Sequence, residues 1–119
     1  MSKKEKNDEI CGFIDQGTEF NGNLKFNGTF RIDGNFKGKI VSNSKLIVGE
    51  KGKVEAEIDI GHLIVSGEVK GKINAKEKVE VYSKGKVYGD IITPKLMVEE
   101  GAFFHASCKM DGYGEKSPK

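Results

Sequence analysis

Tryptophan is absent from the 119 residues, and proline and cysteine occur only twice each. Cys11 and Cys108 stand near opposite ends, with no C-x-x-C spacing and no framework of four or more, so buried free thiols are expected rather than a disulfide scaffold. No run of 18 or more apolar residues occurs, which excludes a helix of membrane-spanning length. The opening MSKKEKNDE lacks the apolar middle of a signal peptide, and a cytoplasmic protein is the expectation. An excess of one charge is lacking too. Twenty Lys and Arg against 18 Asp and Glu leave +2, no electrostatic basis for nucleic-acid binding or strong membrane attraction.

Chemistry-bearing constellations are equally scarce. His62 and His105 are the only histidines, one fewer than a three-imidazole zinc centre at a trimer seam requires. Glu99 and Glu100 are adjacent, and adjacent residues at a strand end point to opposite sides, which removes them as a paired acid and base. The chain contains no GxSxG, no GxxxxGK and no GGxGxD repeat. No catalytic residue, cofactor or metal is expected.

What the sequence has in plenty is glycine, sixteen residues, too many for a helical protein. A pattern of large apolar, any, small, any, apolar returns six times: FNGNL at Phe20, FKGKI at Phe36, VEAEI at Val54, VKGKI at Val69, VYGDI at Val87 and FHASC at Phe104. Spacings of 16, 18, 15, 18 and 17 separate them. A second pattern, apolar-any-apolar, precedes the last five at Phe30, Leu46, Leu63, Val79 and Leu96; before the first, only Ile14 fits. Both alternate with period two, the periodicity of strands. Corners between them carry Gly17, Gly34, Gly52, Gly67, Gly85 and Gly101, read as positions needing positive φ.

A period near seventeen made of short strands turning one way predicts an all-β, parallel β-helix of about six coils, triangular in section, over residues 11–110. The irregular spacing favours the right-handed form. The third, shorter side runs through Phe26, Ser42, Ile60, Ala75 and Thr93, and the small residue of the first pattern is expected to point into a crowded core. In-register stacking then forms two outward columns, Asn21-Lys37-Glu55-Lys70-Tyr88-His105 and Asn23-Lys39-Glu57-Lys72-Asp90-Ser107, in which like charges never meet. Residues 1–10 and 111–119 read as disordered tails with no capping pattern. Uncapped ends would expose Ile14, Phe20, Leu24 and Phe26 at one cross-section and Val98, Phe103, Phe104, Cys108 and Met110 at the other, a polymerisation interface with copies of itself. Ile47, Ile64 and Met97, outward on the second strand, form a candidate lateral or partner patch.

With these residues placed, the chain resembles the bactofilins, bacterial polymer-forming β-helical cytoskeletal proteins. The resemblance spans Ile14 to Met110 and rests on GTEFNGNLKFNGTFRIDGNFKGKI and VYGDIITPKLMVEEGAFFHASCKM. It implies a right-handed triangular β-helix, nucleotide-independent non-polar filaments, and a scaffold role for cell-shape or envelope-synthesis machinery, with cell-wall or envelope enzymes as partners. It also implies that an aromatic of the final coil is needed for polymerisation, a position that falls on Phe104 with Phe103 beside it. Many members contact the inner face of the membrane through an N-terminal Met, an aromatic and nearby lysines; here the aromatic is missing and Lys3 and Lys4 alone remain. The alternative is a non-polymerising β-helical module that regulates a cell-division or envelope partner through the Ile47/Ile64 face.

Overall fold

The computed structural model describes residues 10–109, as ten strands and no helix. The first face stacks β2 (Glu19–Lys25), β4 (Asn35–Val41), the first half of β6 (Lys53–Val65), the first half of β7 (Glu68–Val81), β8 (Lys86–Ile92) and β10 (Phe103–Lys109), every neighbouring pair parallel. The second face stacks β1 (Ile10–Ile14), β3 (Thr29–Ile32), β5 (Lys45–Val48), the remaining halves of β6 and β7, and β9 (Leu96–Val98), also parallel. The chain is thus a parallel β-helix of about six turns. The predicted tails 1–10 and 111–119 lie outside the described residues apart from Ile10, which opens β1, and Met110 lies outside them too.

Register follows the repeat rung by rung. Phe20, Phe36, Val54, Val69, Val87 and Phe104 form one inward column, and Leu24, Ile40, Ile58, Ile73, Ile91 and Cys108 a second. The second face adds Ile14, Ile32, Val48, Val65, Val81 and Val98. Alternation turns these toward one shared core and turns the residues between them outward. On the third side Ser42, Ile60, Ala75 and Thr93 are buried, and the two hydroxyls are satisfied: Ser42 Oγ donates to the Phe26 carbonyl at 2.7 Å and Thr93 Oγ1 to the Lys95 carbonyl at 3.1 Å.

Glycine proves necessary for a reason other than the expected ones. At Gly38, Gly71 and Gly89 an added Cβ would lie 1.9–2.1 Å from the carbonyl oxygen of the residue one rung earlier, Gly22, Ala56 and Gly71 respectively. The obstacle is the neighbouring backbone, not a crowded core; Ala56, in the same column, fits with its methyl in the core. The corners repeat the lesson. Gly34, Gly52, Gly67 and Gly85 do not have positive φ; a Cβ there would meet carbonyl oxygens of the preceding coil at 2.2–2.7 Å. Their own carbonyls accept the next coil's amides, Lys53 N to Gly34 O at 2.9 Å, Glu68 N to Gly52 O at 3.0 Å and Lys86 N to Gly67 O at 2.7 Å. Only Gly17 and Gly101 among the six corners are left-handed.

Gly71→Ala, which combines φ +129 with a 2.1 Å clash against backbone, is expected to cost about 2–4 kcal/mol. Gly17→Ala, with φ +91 and open space around it, should cost about 1 kcal/mol. Urea midpoints of the two variants compare them, and equal losses would refute the close-approach explanation.

Candidate assembly interface

Both ends of the solenoid present strands with one unpaired edge. Among the described residues β2 pairs only with β4 and β1 only with β3; at the other end β10 pairs only with β8 and β9 only with β7. Such edges carry amide and carbonyl groups aimed along the rod axis, a template for another chain.

At the N-terminal end Phe20 is 37% exposed, and its ring lies parallel to that of Phe36, centroids 5.2 Å apart. Leu24 and Phe26 are half-buried, with Phe26 against Phe30 at 5.1 Å. Ile14 belongs to this rung but is buried. Sequence reasoning missed how its strand is completed: the inward position two residues earlier is Gly12, and the Phe30 ring occupies the space a side chain there would fill. It also missed Phe13, which points outward and is 51% exposed. Cys11, expected to be buried, is exposed and donates its thiol to the Asn27 carbonyl at 2.9 Å; with Gly12 inward, strand alternation turns it outward.

At the C-terminal end Phe104 is half-buried below Val87, with Cys108 below Ile91, where burial raises the thiol pKa. Val98, 41% exposed, ends the second-face column. Phe103 is not on the cross-section where the sequence put it. Strand alternation turns it outward beneath Lys86, 49% exposed, in a flank cluster with Tyr88 at 5.6 Å and His105 at 6.2 Å.

The flanks carry charge. The two predicted columns stand in the expected register, and a third, Glu19-Asn35-Lys53-Glu68-Lys86-Phe103, alternates in the same way. On the second face the outward column is Phe13-Arg31-Ile47-Ile64-Glu80-Met97. Ile47 and Ile64 are adjacent and half-buried, while Glu80 separates them from Met97. Beside it Lys45, His62 and Lys78 stack, with Glu80 next to the last two. The Glu80 carboxylate, 13% exposed, accepts from His62 Nε2 at 2.8 Å and from the Tyr82 hydroxyl, with Lys78 Nζ at 3.5 Å. The Tyr82 hydrogen bond is the main cause holding the Glu80 pKa below its ordinary value, against the opposing effect of burial, and the same bond raises the Tyr82 pKa. Arg31 pairs with Asp33 at 2.9 Å.

Among the described residues no group of three His, Cys, Asp or Glu is placed to hold a metal, and no helix is long and apolar enough to cross a membrane. The fold and its bare edges define a β-solenoid whose ends repeat the surfaces that join its own coils. A family model described as Bactofilin, polymer-forming cytoskeletal, matches residues 12–109, and the chain belongs to that family. Neither the curated proteins nor the solved structures contain a match.

Glu80→Gln tests the flank hub. A depressed carboxyl pKa stabilises the fold above the group's unfolded value and loses that contribution as pH falls through the folded one. The variant is therefore expected to be less stable to urea by about 1 kcal/mol near neutral pH, with the difference shrinking as acid protonates the Glu80 carboxylate. A pH-independent difference would show that Glu80 acts by packing alone.

Proposed function

We propose that this bactofilin assembles end to end into non-polar filaments without nucleotide, and that the filament serves as a cytoplasmic scaffold for cell-shape or envelope-synthesis enzymes. The single observation that carries the reading is that, among the described residues, β2 and β10 each pair on one edge only, with Phe20 and Phe104 on the same core column. Stacking a second copy there satisfies edge amides and covers apolar side chains in one step, as each internal coil does for its neighbour. The work of such a chain is mechanical rather than catalytic, with no cofactor.

Sedimentation and electron microscopy of the purified protein without nucleotide test this reading. Filaments are expected at tens of micromolar; monomers or dimers only would favour a binding module using Ile47 and Ile64. Phe104→Arg should keep the strand content by circular dichroism yet raise the critical concentration about 100-fold or more, since an unpaired charge buried at a joint costs about 3 kcal/mol. Ile64→Lys should leave elongation intact and alter bundling or partner recruitment, and loss of all polymer in that variant would move the main contact to the flank.

A further inference from the structure

Resting on the end-to-end reading, we infer that the N-terminal joint is an antiparallel ladder between β2 of two copies, centred on Gly22 and held in register by reciprocal Glu19–Lys25 pairs.

The geometry starts from the strand itself. β2 has seven residues with Gly22 at its centre, and its unpaired edge faces out of the N-terminal end. A two-fold axis through Gly22 turns a second copy end to end and runs its β2 antiparallel to the first. Facing residues are then Glu19 with Lys25, Phe20 with Leu24 and Asn21 with Asn23, each twice. Alternation keeps Phe20 and Leu24 on the core side, where they continue the hydrophobic columns of both copies. Glu19 and Lys25 meet on the outer side at the spacing of directly opposed strand residues, about 4.5–5.5 Å between Cβ atoms.

Within one chain these two charges lack complements. Glu19 sits above Asn35 and Lys25 above Val41, and neither makes an ion pair among the described residues. The interior rungs, by contrast, set Lys37, Lys39 and Lys53 against Glu55, Glu57 and Glu68. The opposite arrangement, β10 of one copy stacked parallel on β2 of the next, would continue the existing columns. It would place Lys109 on Lys25 and Phe103 on Glu19, a like-charge contact and a desolvated carboxylate. Turned instead about Ala106 at the centre of its own seven residues, β10 faces Phe103 with Lys109 and Phe104 with Cys108, which sets an ammonium beside an exposed ring. The end charges thus favour like-end joints at both rims.

Charge-reversal variants decide the matter, because among the described residues neither side chain has a charged partner to lose. Lys25→Glu and Glu19→Lys should each raise the critical concentration roughly tenfold at low salt. They should leave dimers, joined through the untouched β10 end, as the main species in sedimentation velocity. The double variant E19K/K25E should return to within about twofold of the parent, and high salt should shrink the single-variant effect. Circular dichroism confirms equal strand content. Polymer from the parent together with unchanged or stronger assembly of Lys25→Glu, or a double variant no better than the singles, would overturn the joint while leaving end-to-end assembly standing. No polymer from the parent would overturn both.

Discussion

Every coil of this protein must lie one strand spacing from the coil before it, because the backbone of each is the hydrogen-bonding partner of the next. Corner amides and carbonyls obey the same rule as strand ones, from Asn35 N on Thr18 O to Phe103 N on Gly85 O. At about 4.8 Å there is no depth for a side chain along the rod axis. That is why Gly34, Gly52, Gly67 and Gly85 at the corners and Gly38, Gly71 and Gly89 at the strand centres face carbonyl oxygens, and why side chains survive only where they point into the core or out to water. The apolar columns and the charge columns are consequences of the spacing.

Stacking in register also explains how much could be read from the chain. Period, strand positions, coil number and the two charge columns were legible, since a ladder copies each local pattern to the same place one turn later. What escaped notice lies where the copy is imperfect. β1 was half hidden because Gly12 replaces the inward residue and Phe30 of the next coil fills its place. Cys11 was misplaced because only Ile14 marked the phase of its strand, the next inward residue being Gly12. Phe103 was put on the cross-section for its apolar ring, although the repeat that begins at Phe104 already turns it outward, as the register with Lys86 and Val87 shows. The Glu80 cluster was missed because its members come from two coils and from both sides of a strand corner, His62 on one and Lys78, Glu80 and Tyr82 on the other.

The reason for glycine was misread in an instructive way. Small residues in a repeat suggest a narrow core or left-handed turns, and both are local ideas. Here the crowding comes from a residue fifteen to eighteen positions earlier, at right angles to the strand. An alanine at position 56 is compatible with the pattern because its methyl leaves that direction and enters the core.

A solenoid built this way has no natural end. In the proposed filament the free energy that joins one coil to the next is drawn on at each rim, and assembly of copies extends the fold by the same kind of contact. Continuation in the parallel sense would cost nothing in backbone terms, so the choice of sense falls to side chains. Interior rungs settle it on the first face by setting Lys37, Lys39 and Lys53 against Glu55, Glu57 and Glu68. The terminal rungs break the alternation, with Glu19 and Lys25 on one strand and Lys109 on the other rim. A strand carrying opposite charges at equal distances from its central residue is its own complement when reversed and is not complementary to the strand at the far end. The proposed two-fold pairing of like ends, and with it a filament without direction, rests on that symmetry.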